Sequence, residues 1–242
     1  MEDYSVYDLK EFYKKREGRL VRRLLKTVLN EIWPQIDGLR VMGYGYPLPY
    51  MRYGYEKAER LFAVLPSRTG GHFWPEGKNS LVCLSREDLL PVETESIDRL
   101  IVIHGLEHAA DLAATLSELW RVLKSNGRMI VIVPNRLGMW ARAERTPFGH
   151  GTPYTQGQII SHLKESLFTV ERHEHALYMP PFRSFWVMRT AYLFEGFGKF
   201  IFPGVAGVNV IEAGKQIYAG TSHARKAMPS GTRIFVPQPA VK

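Results

Sequence analysis

Apolar residues recur along this chain in two alternating rhythms. Over residues 20–32 they fall at Leu20, Val21, Leu24, Leu25, Val28, Leu29 and Ile32, the i, i+3, i+4 stripe of an amphipathic helix. Pro34 and Gly38 end it. Short apolar runs follow at 39–42, 61–65, 81–84, 100–104 and 129–133; those at 81–84 and 100–104 are continuous, as expected of parallel strands buried on both faces. A helix is expected after the first run, to about residue 59, with Pro47, Pro49 and Gly54 inside it. The clearest helix spans 111–123, where Leu112, Leu116, Leu119, Trp120 and Leu123 share a face. Lys124 and Gly127 supply its basic last turn and its glycine ending. A helix at 156–166, a strand at 168–173 and a last strand at 207–217 complete the pattern. Alternating strands and helices with short connections imply right-handed crossovers and a doubly wound, mostly parallel α/β sheet.

Three segments stand apart from this alternation. Residues 1–35 form a basic amphipathic helical segment, with Lys10, Lys14, Lys15, Arg16, Arg19, Arg22, Arg23 and Lys26 crowded together. An insert at about 178–204, before the last strand, is rich in Phe, Tyr and Trp. Residues 221–242 carry proline, short polar residues and scattered charge, the composition of a flexible tail. The domain itself spans 36–220.

The chain has 242 residues, enough for one large α/β domain, and its 45% apolar and 23% charged content is that of an ordinary globular protein. The single cysteine, Cys83, excludes an internal disulfide and a cysteine-based zinc site. Six histidines, His72, His104, His108, His150, His173 and His175, are scattered relative to metal-ligand spacing, so no metal is expected. A charged N-terminus and the lack of any run of ~18 apolar residues point to the cytoplasm. The net charge of +8 is concentrated near the N-terminus rather than spread over a surface, which argues against nucleic acid as partner.

One stretch carries finer detail. Leu90-Pro91-Val92 and Ser96-Ile97-Asp98 precede the fourth apolar run; His104-Gly105-Leu106-Glu107-His108 follows it. Then come Glu118, Arg121, Val122, Leu123, Lys124, Gly127 and Arg128, and a run closing on Pro134-Asn135. In order and spacing these resemble the second half of a class I S-adenosylmethionine-dependent methyltransferase, over about 39–135. More narrowly the chain resembles a bacterial branch of type-11-like methyltransferases with an altered glycine motif and a segment like Arg145-Thr-Pro-Phe-Gly-His-Gly151. The resemblance implies a Rossmann-like fold, S-adenosylmethionine as cofactor and methyl transfer as activity.

The first half departs from the family at the cofactor grip. The motif acid-x-Gly-x-Gly-x-Gly is Val41-Met-Gly43-Tyr44-Gly45-Tyr-Pro47 here. Two glycines remain, the acid is Val41 and the third glycine is Pro47, which lacks an N–H. The ribose-binding acid at the end of the second strand falls on Pro66, and the adenine-side acid falls on Arg86, with Glu87 beside it. Loss of a charge-assisted hydrogen bond costs about 1.5–3 kcal/mol, so ordinary cofactor affinity should be weakened or lost.

Gly43, Tyr44, Gly45, Pro66, Arg86 and Glu87 are the expected cofactor contacts. His104, at a strand end in the expected cleft, is the candidate general base. His150 and Tyr154, in a Gly/Pro-marked loop, are candidate acceptor contacts. The acceptor is expected to be a small, apolar or lipid-like molecule. The alternative is an inactive methyltransferase-like protein that binds a protein partner through the aromatic insert, or a membrane surface through the basic helix.

Overall fold

The computed structural model describes residues 5–181 and 203–215. A seven-stranded sheet runs through them: β1 (Arg40–Gly45), β2 (Arg60–Pro66), β3 (Val82–Ser85), β4 (Ile97–Ile103), β5 (Leu123–Pro134), β6 (Thr169–Ala176) and β7 (Val208–Gly214). Their order across the sheet is β3-β2-β1-β4-β5-β7-β6. β7 is antiparallel to both of its neighbours, and the other pairings are parallel. This is the doubly wound, mostly parallel architecture expected from the alternation of apolar periods.

The helices are α1 (Val6–Lys14), α2 (Arg16–Ile32), α3 (Leu48–Met51), α4 (Leu112–Val122) and α5 (Gln156–Glu165). β1 shows how the two faces divide. Val41 faces one core with Tyr13, Leu25, Ile101, Ile103 and Ile130. Met42 and Tyr44 face the other, with Leu116, Leu119, Ile159 and Ile211. Strand period two therefore sends alternate residues of one strand under different helices.

Several boundaries differ from the sequence expectation for local reasons. The basic N-terminal segment is two helices, broken at Lys15, whose ψ of 162° is extended. Gly18 lets them pack: a Cβ there would lie 2.1 Å from the Phe12 carbonyl oxygen. The helix after β1 is not continuous to residue 59. It is reduced to α3 and a 3-10 turn, Arg52–Gly54, where Gly54 makes room for Ile36. α4 ends at Val122, so Lys124 lies in β5, where it pairs with Asp98 at 2.8 Å. β3 is the sheet edge rather than a buried strand; Cys83 and Leu84 are exposed. Most of the aromatic insert, all of the expected tail and the end of the last expected strand lie outside the described residues.

Candidate functional site

The family-like stretch forms a clamp. Arg121 donates to the carbonyls of Leu90 (3.0 Å) and Val92 (2.9 Å) and pairs with Glu118 at 2.7 and 2.8 Å. Glu118 in turn accepts the Leu90 N–H at 2.8 Å. Asp98 accepts the Arg40 N–H at 3.0 Å, tying β4 to the start of β1. These residues hold the crossover that delivers β4 to the sheet centre.

The glycines of the altered motif serve packing inside the chain. A Cβ on Gly43 would lie 2.2 Å from Cγ of Pro47 and 2.6 Å from Sδ of Met51, so this glycine lets α3 close on β1. Gly45 has φ of +85°, and a Cβ there would lie 2.3 Å from the Ile103 carbonyl oxygen. It brings the ends of β1 and β4 together, and the Tyr46 N–H donates to that same carbonyl at 2.7 Å. Tyr44 turns to the α4 side, its ring against Gly105. Burial, with Glu87 nearby, pushes its hydroxyl pKa up, so it remains a neutral phenol.

Pro66 closes β2, and the chain continues through Ser67 and Arg68. Arg68 Nε pairs with Glu87 Oε1 at 2.7 Å, and Glu87 Oε2 accepts the Ala110 N–H at 2.9 Å. A cavity of about 300 Å³ opens beside this pair, lined by Ser67, Arg68, Arg86, Glu87, Ala110 and Asp111, among others. Arg86 stands on its rim, largely exposed and paired with Asp88 at 2.6 Å. The fold thus brings Arg86 and Glu87 together beside the end of β2. Gly43, Gly45 and His104 are not among the residues lining that cavity.

His104 follows β4 in the left-handed region, φ 52°, and is buried. Its Nε2 is 2.8 Å from the Tyr13 hydroxyl of α1. Its Nδ1 is 3.3 Å from Oε1 of Glu107, itself fully buried. Tyr50 donates to the Tyr13 oxygen at 3.0 Å. The Tyr13 proton is then available to Nε2, which leaves the Nδ1–H tautomer facing Glu107. Burial pushes the Glu107 carboxyl upward, but the hydrogen bond from His104 and the charges of His104 and His108 outweigh it, and the net shift is down. Burial and Tyr50 push the Tyr13 phenol up. Tyr46 stacks on Tyr13, and Phe148 lies 4.8 Å from the His104 ring, centre to centre. Sequence reasoning missed Tyr13, although Val6, Leu9 and Tyr13 share a helical stripe that could have revealed α1.

The loop after β5 packs on the turn Leu106–His108: the Thr152 N–H donates to the Glu107 carbonyl at 2.7 Å, and the Tyr154 hydroxyl donates to the Leu106 carbonyl at 3.3 Å. His150 turns its Nε2 to the Glu144 carbonyl of its own loop. Phe148 of this loop contacts His104. Among the described residues no group of three or more His, Cys, Asp or Glu side chains could hold a metal ion, and no helix is long and apolar enough to cross a membrane.

Residues 42–131 match a protein-family model described as a methyltransferase domain. No curated protein matches the chain. Solved structures share its fold. A methyltransferase of Thermotoga maritima, described as a possible histamine N-methyltransferase, is 14% identical; the match covers 88% of this chain and 96% of that one, with a TM-score of 0.61. A methyltransferase of Archaeoglobus fulgidus is 19% identical, covering 87% and 100%, with a TM-score of 0.61. The cyclase SpnF is 18% identical, covering 81% of each chain, with a TM-score of 0.54. At such identities the likeness establishes the fold, and the cyclase illustrates that a fold does not dictate its reaction.

Proposed function

From a chain with the class I S-adenosylmethionine-dependent methyltransferase fold, matched over residues 42–131 to the methyltransferase domain family, we propose a methyltransferase that takes the adenosyl end of S-adenosylmethionine beside β2 and acts on a small apolar acceptor. The observation that carries this reading is the cavity of about 300 Å³ around Arg68 and Glu87. It lies beyond the carboxyl ends of β2 and β3, where open α/β sheets place their ligands, and its size is at the lower end for small-molecule sites.

The residues fit the cofactor unevenly. At the adenosyl end, Glu87 is an acceptor held by Arg68 and the Ala110 N–H, and Arg86 is a long, largely exposed cation at the rim. Toward the methionine end the fit is poorer. Gly43 and Gly45 there are already committed to packing against Pro47 and Ile103, while on the adenosyl side Pro66 stands in place of the family's ribose-binding carboxylate.

Bound there, S-adenosylmethionine supplies an electrophilic methyl group. What remains for the chain is to orient the acceptor and to remove its proton. His104 is the group that would remove it, with Nε2 taking the proton while the Glu107 carboxylate steadies the resulting imidazolium. Such a base adds ~10²–10⁴-fold, provided the Tyr13 hydroxyl releases Nε2. Tyr46 and Phe148 pack around Tyr13 and His104 and would give an acceptor admitted there an apolar wall, with the loop of His150 and Tyr154 beside it.

The Tyr13–His104 contact favours a second reading, a methyltransferase-like protein in the cytoplasm that acts by binding a partner or a membrane surface. In it the base is permanently covered by α1. The leucine face of α2 lies in the core, so a membrane contact would rest on Arg22, Arg23 and Lys26.

Calorimetric titration with S-adenosylmethionine and S-adenosylhomocysteine separates the readings. The enzyme reading expects micromolar binding, about tenfold weaker or more in Glu87→Ala. Absence of heat and of any thermal shift at millimolar cofactor leaves only the binding module.

A further inference from the structure

Away from the cleft, β6 carries His173 and His175 two positions apart, so both imidazoles stand on one face of the strand. The register places His175 opposite Asn209 and His173 opposite Ile211 of β7. Ile211 belongs to the core under α4 and α5, which identifies the face. The two rings lie 4.3 Å apart, centre to centre, at 89°.

Three polar atoms on this face are buried and lack a well-formed hydrogen bond: Nε2 of His173, Nδ1 of His175 and Oδ1 of Asn209, the asparagine close enough to act on His173. The Asn209 amide orientation is fixed, because Nδ2 donates to the Tyr154 carbonyl at 3.1 Å, and Oδ1 is the atom left over. A buried polar atom left unmet is unfavourable, because it has given up water for nothing. Three together call for a shared occupant.

We propose that His173, His175 and Asn209 form a binding site for one divalent transition-metal ion of the kind that imidazole prefers, such as zinc or nickel. An imidazole nitrogen bonds such an ion at ~2.0–2.1 Å, so each ring centre stands about 3 Å from it. Two rings at right angles around the ion, as in the square-planar or octahedral shells that nickel takes, are then roughly 4.5 Å apart, close to the observed separation. Imidazole nitrogens suit zinc, nickel and copper, and the amide oxygen is a neutral third donor. The imidazoles are in their ligand form at neutral pH. Burial pushes His173 down, with Asn209 and Glu174 opposing it; burial and then His173 push His175 down to about 4.

The test uses the full chain, freed of metal with a chelator and titrated with zinc or nickel by calorimetry. One ion per chain with micromolar affinity is expected, weakened about tenfold or more in His175→Ala and in His173→Gln, and unchanged in His162→Ala. Ring-nitrogen NMR of the unmodified chain provides an arm that does not depend on the variants folding: zinc should shift the signals of His173 and His175. The proposal is overturned by absence of binding at millimolar metal, by affinity that ignores both variants, or by ring signals that do not move; a cluster bridged only by water gives these results.

Discussion

The hydroxyl of Tyr13, on α1, stands 2.8 Å from Nε2 of His104, at the end of β4. Ninety-one positions of sequence separate them, and neither has its present meaning without the other. α1 supplies the phenol and β4 the imidazole. Tyr50 donates to the Tyr13 oxygen at 3.0 Å, and the Glu107 carboxylate lies 3.3 Å from Nδ1 of His104.

Removing that hydroxyl strands two buried partners. Tyr13→Phe is expected to destabilise the fold by about 1–3 kcal/mol, measured by urea unfolding. Tyr13→Ala should in addition expose His104 to diethylpyrocarbonate. Labelling of His104 no faster than in the parent would show that α1 is not what covers it.

Glu118 predicts the acid limb of stability. The hydrogen bonds from Arg121 lower its carboxyl from the ordinary value of 4.5; partial burial opposes them, and the Leu90 N–H adds to them. A carboxyl lowered in the folded chain stabilises it above pH 4.5, and that contribution is lost as the pH falls through the lowered value. Because the pair is partly open to solvent, Glu118→Gln should cost about 0.5–1.5 kcal/mol at roughly pH 7. The variant should also show a flatter loss of stability below pH 4.5. Equal slopes in both proteins would remove Glu118 from this role.

Gly45 is required on two grounds, its φ of +85° and the absence of room for a Cβ. Gly45→Ala should cost about 1–2 kcal/mol from the left-handed backbone alone, and more from the overlap with Ile103. In a domain of this size that lowers Tm by roughly 2–4 °C per kcal/mol, readable by calorimetry. Gly157 has open space around its missing Cβ, and Gly157→Ala within α5 should be neutral or stabilising by comparison.

Arg68 and Glu87 form the wall of the cavity beside β2. If the cavity takes an adenosyl group, Arg68→Ala and Glu87→Ala should each weaken S-adenosylhomocysteine binding about tenfold or more, the equivalent of ~1.4 kcal/mol, with a smaller loss of stability. Equal losses of affinity and stability would mean that the pair is structural.

Much of the scaffold was legible along the chain. The apolar runs at 39–42, 61–65 and 100–104 became β1, β2 and β4, because such segments are covered on both faces at the centre of a parallel sheet. The Glu118–Arg121 pairing to Leu90 and Val92 gives the family-like spacing a structural reason: one guanidinium must reach two carbonyls across a crossover. α1 was less legible, because its four buried residues, Val6, Leu9, Phe12 and Tyr13, are interleaved with charge. β3 misled, because an apolar run at a sheet edge has the same composition as one at the centre.

The sequence by itself determined which segments become strands and helices and the order in which they wind. These follow from periodicity and residue identity, which are local. Only the tertiary structure decided that Gly43 serves Pro47, that Glu87 is held by Arg68, that Tyr13 covers His104, and that His173, His175 and Asn209 share one face. Each of these is fixed by sheet register and helix docking between distant positions, and short-range pattern carries no record of it.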